Sequence, residues 1–190
     1  MRADSAKKLF TVDEYDQMQA LGLVSEGVRT ELIKGEIIEM GLMRSRHAAA
    51  INRVGLRMGS AVEEKALVRV QLPLRLNAYN EPQPDLTFVK VRRDFYESRH
   101  PGANDVFLVV EISDTSLDYD RDIKVGVYAD ARIPEFWVLD LPGSALLVFR
   151  GPARGDYKTF LRFQHGDTVS ILAYPEIEIA VSDLLGATSD

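Results

Sequence analysis

Residues 105–124 read DVFLVVEISDTSLDYDRDIK, from Asp105 to Lys124. The apolar run Val106-Phe107-Leu108-Val109-Val110, bounded by polar residues, has the pattern of a buried strand. It ends on a carboxylate, Glu111. A carboxylate adjoining a buried strand must find a partner or a metal, because burying a bare charge is costly. The plain alternative is that Glu111 marks where the strand emerges into water. Downstream, a helix is expected from about Leu117 to Ala131. At about 100° per residue, Leu117, Asp120, Ile123, Lys124, Val127, Tyr128 and Ala131 share one arc of about 140°, the apolar and core-facing side. Asp118, Asp122 and Asp130 point away from its centre. Asp120 and Lys124 are thus charged residues on the inner face. An i,i+4 ion pair accounts for them, although desolvation opposes such a pair on an inner face.

The strand before supplies a second carboxylate. In PDLTFVK, residues 84–90, Asp85 opens the strand and Pro84 fixes its approach. If that strand lies beside DVFLVVEIS, both carboxylates sit at one edge of the sheet. Two hard oxygen ligands a few ångströms apart suit Mg²⁺ or Mn²⁺, which keep several waters. A lysine reaching in from the adjacent helix can orient or activate a water, or stabilise the charge that develops on a phosphorane. Aspartate, glutamate and lysine at one sheet edge point to metal-assisted hydrolysis of phosphodiesters.

Further out, Thr11-Val12-Asp13-Glu14 has capping-box spacing, and a short helix is expected from there to about Leu21. RTELIKGEIIEM reads as a hairpin turning at Lys34-Gly35. Residues from about Ser45 to Glu64 are helical in pattern, with Ile51, Val54, Met58 and Val62 on one face and Arg46, Arg53 and Arg57 clustered beside it. LVRVQLPLRL alternates, with Val68, Val70, Leu72, Leu74 and Leu76 on one side, and reads as one strand. EFWVLDL and ALLVFR flank a Pro142-Gly143 turn, YKTFLRF follows, and EIEIAVSDLL reads as a strand running into a helix. The order suggests α/β or α+β: one central mixed sheet with a helix on each face.

Composition sets the bounds. The 190 residues suit a single domain, residues 1–190, with about 1–25 as an N-terminal helical extension. Hydrophobic content of 46% and charged content of 27% are those of a soluble globular protein. The chain has no cysteine, which removes disulfides, thiolate metal sites and cysteine nucleophiles together and agrees with a cytoplasmic location. No signal peptide and no membrane span are visible. The net charge of -6 argues against a nucleic-acid coat protein and is compatible with an enzyme carrying a local basic cleft.

PDLTFVK, VVEIS, YDRDIKVGVYADARIPEFWVLDL and the earlier ELIKGEIIEM…RSRHAAA together resemble the Uma2 family of the PD-(D/E)xK nuclease superfamily. The resemblance runs from about Leu9 to the C-terminal segment. It implies a restriction endonuclease-like core, with a divalent metal held by Asp85, Glu111 and the backbone carbonyl of Ile112. Ser113 stands where the superfamily's motif carries lysine. The departure resembles migration of that lysine onto the next helix, which makes Lys124 the replacement, a residue that the helical face had already singled out. Glu31 lies in the segment that often supplies a further acidic residue to such sites, and its alternative is a solvated hairpin glutamate.

The function expected is that of a Mg²⁺-dependent DNA endonuclease. Asp85 and Glu111 hold the metal, Lys124 positions or activates the attacking water, and Asp120 orients Lys124. His47 falls on the same arc as Ile51 and is a catalytic candidate or a packing residue; Tyr128, one turn beyond Lys124, bonds to the site or packs. Arg44, Arg46, Arg53 and Arg57 form a strip for phosphate contacts or a solvated helix face. DNA is the expected partner, and a homodimer is the simplest way to cut two strands. The alternatives are an inactive nuclease-like module that binds nucleic acid or protein, and a metal-dependent hydrolase of another substrate.

Overall fold

The computed structural model describes residues 7–24, 27–114 and 120–186, and for residues 120 and 121 the backbone alone. The apolar run of the opening stretch forms β5, Val106–Ser113, buried along almost its whole length. A strand covered on both faces reads as a continuous apolar run rather than an alternation, and this one does. It lies inside a six-stranded sheet with the order β3 (Leu67–Val70), β4 (Leu86–Val89), β5, β6 (Glu135–Asp140), β7 (Ala145–Pro152) and β8 (Tyr157–Phe163). Every neighbouring pair is antiparallel except β5 and β6, which run parallel. A parallel pair needs a crossover. Here the connection contains a π-helical turn, Asp120–Lys124, continued by the α-helix Val125–Asp130.

Two further helices come earlier in the chain, α1 at Val12–Ala20 and α2 at Ser45–Val62, so the crossover helix is α3; α4 is Val181–Leu185. Residues alternate between the faces of β5. Val110 and Ile112 pack under α2 with Ile51, Val54, Met58 and Val62, and Trp137, Val181 and Leu184 close the same cluster. Val109 faces the other way, with Val127, Tyr128, Phe136 and Val138 around α3. The mixed sheet with helices on both faces is therefore present. The expected hairpin is β1 (Thr30–Ile33) and β2 (Glu36–Glu39), turning at Lys34 and Gly35, both with positive φ. Paired positive φ values fit a tight hairpin turn. The capping box at Thr11 forms with both reciprocal bonds, and α1 seats Val12 and Tyr15 on Leu32. Among the described residues, no helix is long and apolar enough to cross a membrane.

Three local expectations need correction. LVRVQLPLRL is not one strand: β3 stops at Val70, and Gln71 takes a left-handed backbone with φ 50°. Leu72 is left 45% exposed while Leu74 is buried, so residues assigned to one face part company where the left-handed residue and Pro73 break the alternation. The segment before Lys124 is a π turn rather than α-helix, which makes a 100° spacing inexact there; residues 117–119 and the Asp120 side chain lie outside the described residues. A further strand, β9 at Thr168–Ile171, pairs with β10 at Tyr174–Ala180, a hairpin that the sequence reading did not separate.

Candidate active site at the β4–β5 edge

Leu86 pairs with Val110, and continuing that antiparallel register by one residue sets Asp85 opposite Glu111. Both are buried, at 5% and 3% exposure. The two strands hold each other's carboxylates through main-chain donors. The Ile112 N–H donates to Asp85 Oδ2 at 2.8 Å, and the Asp85 N–H reaches Glu111 Oε2 at a long 3.4 Å. Ile112 is able to donate there because β4 has ended and no ladder bond claims that group. Ser113 C=O accepts from the Leu141 N–H on the β6 side. Successive residues of a strand alternate in direction, so the Ile112 carbonyl turns to the Asp85 side with its N–H.

From the other face, the π turn and α3 each deliver a side chain to one oxygen of Glu111. Lys124 Nζ, at the end of the turn, lies 3.0 Å from Oε1, and Tyr128 Oη, four residues on in α3, lies 2.7 Å from it. Lys124 is 4% exposed and also lies 3.3 Å from Glu31 Oε1. Glu31 comes from β1 with all four strand residues buried, which removes the solvated-hairpin reading. Its second oxygen accepts the Gln83 N–H at 3.2 Å. The buried ammonium thus bridges two carboxylates. π turns recur at functional sites, and this one ends on Lys124.

His47, at the start of α2, directs Nε2 to Asp85 Oδ1 at 2.9 Å, with its side chain 22% exposed. An ionised carboxylate only accepts, so against ionised Asp85 that nitrogen is the donor. Gln71 Nε2 reaches the same oxygen at 3.1 Å. The cleft above these groups has a volume of about 360 Å³, and Arg29, Arg44, Glu39 and Asp114 stand among its lining residues.

The structure therefore brings Asp85, Glu111, Lys124, Glu31, His47, Ile112 and Tyr128 together. Ser113 is fully buried, and its hydroxyl has no hydrogen-bond partner among the described residues. The arginine strip divides. Arg44 lines the cleft, and Arg57 is exposed. Arg46 bonds to the Leu141 carbonyl and Asp114. Arg53 donates to the Leu184 and Leu185 carbonyls, capping α4 away from the cleft. The sequence reading missed Gln71 and Arg29. The sequence carried little signal for Gln71, which falls on the polar side of the alternation, as Arg69 and Arg75 do.

The oxygens present fit a hard divalent cation: two carboxylates and a main-chain carbonyl at one strand edge. Among the described residues, no three His, Asp or Glu side chains form a preformed metal cage.

The sequence model of the Uma2 family, described as "Putative restriction endonuclease", matches residues 12–182. A solved structure, that of a "putative nuclease belonging to DUF820" from Anabaena variabilis ATCC 29413, superposes with a TM-score of 0.69 at 19% identity. The superposition covers 93% of this chain and 97% of that one, so the two share a fold. None of the curated proteins compared with the chain matches it significantly.

Proposed function

The chain belongs to the Uma2 family, and on that premise we propose that it is a Mg²⁺-dependent DNA endonuclease whose reaction centre is the Asp85–Glu111–Lys124 cluster. One observation carries the reading: two carboxylates from adjacent strands and a buried lysine from the crossover helix meet at the floor of one cleft.

Asp85, Glu111 and the Ile112 carbonyl would hold the metal, which when bound supplies a Lewis acid for the scissile phosphate and a water of lowered pKa. The chain's own groups do the rest. Lys124 acts as a hydrogen-bond donor that orients the attacking water and meets the negative charge developing on the phosphate oxygens. Glu31 and Tyr128 keep that donor in place, Glu31 by pairing with the ammonium and Tyr128 by bonding to the same Glu111 oxygen. His47 holds the Asp85 carboxylate through Oδ1. Arg29 and Arg44 are placed to contact backbone phosphates, which give affinity without sequence information. Cutting both strands of a duplex is simplest with two such centres, so a homodimer belongs to the same proposal, and sedimentation on and off DNA tests it.

The deciding experiment is nicking of supercoiled plasmid in Mg²⁺, with Mn²⁺ calorimetry on the same samples. The reading expects the wild type to bind metal and nick, Glu111→Ala to do neither, and Lys124→Ala to bind without nicking. A wild type that binds metal without nicking would point to a substrate other than nucleic acid, and the acidic Glu39 and Asp114 in the cleft lining favour one less anionic than a phosphodiester backbone. A wild type that binds no metal refutes the proposal.

A further inference from the structure

Gln71 is the unassigned residue with the most unusual geometry near the cleft. Its φ of 50° is a conformation that residues other than glycine, asparagine and aspartate seldom take. Such strain persists only where the surroundings over-determine it, and it gathers at functional sites. Gln71 grips Asp85 twice. Its N–H donates to the Asp85 carbonyl at 3.1 Å, and its side-chain Nε2 donates to Asp85 Oδ1 at 3.1 Å.

The donors then fall unevenly on the Asp85 carboxylate. An ionised carboxylate offers about four acceptor positions, two on each oxygen. Oδ1 takes both His47 Nε2 and Gln71 Nε2, while among the described residues Oδ2 takes the Ile112 N–H alone. Oδ1 is filled, and the acceptor capacity that remains lies on Oδ2. A glutamine suits this task because its amide donates without adding charge. A lysine in its place would also donate, but it would cancel the negative charge that attracts a cation.

We propose that Gln71 is a positioning residue for Asp85: with His47 it fills Oδ1, and so presents Oδ2 to a divalent cation. The proposal rests on the metal reading above. The second partner matters because one donor alone would leave a position open on each oxygen and the carboxylate free to choose between them.

The test compares Gln71→Met and Gln71→Gly with the wild type and with Asp85→Asn. It uses the full chain and measures Mn²⁺ affinity by calorimetry and thermal unfolding without metal. Methionine keeps the length and deletes the donor; glycine deletes the donor and relieves the left-handed backbone. Both are expected to weaken Mn²⁺ binding by at least about tenfold, the usual cost of losing a group that orients a ligand. Gln71→Gly is expected to unfold at or above the wild-type temperature. Mn²⁺ affinity within about twofold of wild type for either variant, set against the tenfold expected, overturns the proposal. So does a Gln71→Gly that loses stability and affinity together, because Gln71 is then a structural residue. If the wild type and Asp85→Asn bind Mn²⁺ equally, or neither binds, the metal reading itself has failed. Clear wild-type binding that Asp85→Asn abolishes and the Gln71 variants keep sinks the positioning role alone.

Discussion

Glu111 and Glu135 are buried carboxylates on neighbouring parallel strands, and they are held in opposite ways. Glu135 opens β6 at 0% exposure; Glu111 lies near the end of β5 at 3%. Glu135 Oε1 accepts from Trp137 Nε1 at 2.8 Å and Arg150 Nε at 2.7 Å, and Oε2 accepts from the Leu172 N–H at 2.6 Å. Arg150 also donates to the Ser170 carbonyl. Those donors come from two sheet strands and the turn between β9 and β10, so Glu135 pins that hairpin to the sheet. The donors to Glu111 include Lys124 from the π turn, Tyr128 from α3 and a long main-chain bond, and its residue lines a cleft. Burial alone therefore does not distinguish the two; what sets Glu111 apart is that it lines a cleft.

The comparison is open to attack by substitution, and the largest effect should come from Glu111→Gln or Asp85→Asn. Either is expected to cut plasmid nicking by about 10³-fold, the scale of losing a principal charge-stabilising group, with the fold retained by circular dichroism. Lys124→Met is expected to lower nicking about 10²-fold while Mn²⁺ still binds in calorimetry. Glu135→Gln should show the reverse pattern. It leaves Arg150 with its charge unpaired, so chemical denaturation should report a loss of about 3 kcal/mol, with residual activity per folded molecule unchanged. A Glu135→Gln protein that stays stable but loses nicking would collapse the distinction between the two glutamates.

Tyr128→Phe sharpens the comparison more finely. It deletes one of the hydrogen bonds to Glu111 and is expected to cost about 1 kcal/mol in denaturant titration. A fall in nicking larger than that loss would place Tyr128 in the reaction centre rather than in its support. A separate effect, outside the cleft, concerns Glu81, where burial, with the Asp16 carboxylate nearby, pushes the pKa up from 4.5 to about 7. The folded state then holds a proton that the unfolded chain releases earlier. That contribution to stability is complete below about pH 4.5 and is lost as pH rises to about 7. Glu81→Gln should flatten this stretch of the stability profile, as read by thermal unfolding across that pH range, and leave the cleft untouched.

Much of the frame was legible in the chain. The apolar run ending at Glu111 forms a doubly covered strand, the capping box at Thr11 closes, and the Lys34-Gly35 hairpin turns where expected. These features depend on neighbours a few residues apart, and local sterics and hydrogen bonding decide them. The inner face of the crossover helix placed Lys124 and Tyr128 correctly relative to each other, because four residues make about one turn of α-helix. It did not show that the segment before Lys124 winds as a π turn.

What the sequence by itself determined is the inventory and its local order: a strand that must be buried, a carboxylate at its end, a second one opening the preceding strand, and a lysine one connection later. Only the tertiary structure decided which of the buried charges share a cleft. It brought Glu31 and His47 to the lysine and to Asp85, put Gln71 on Asp85, and turned Arg53 away to cap α4. It also separated Glu135 from Glu111, two glutamates that look alike on paper. The physical reason is range. Propensity and periodicity act over one or two turns of chain, whereas the Asp85–Glu111 pair depends on strand register and the Lys124–Glu31 pair spans most of the sheet's sequence. Contacts of that kind arise from how whole elements pack, and no window of the sequence contains them.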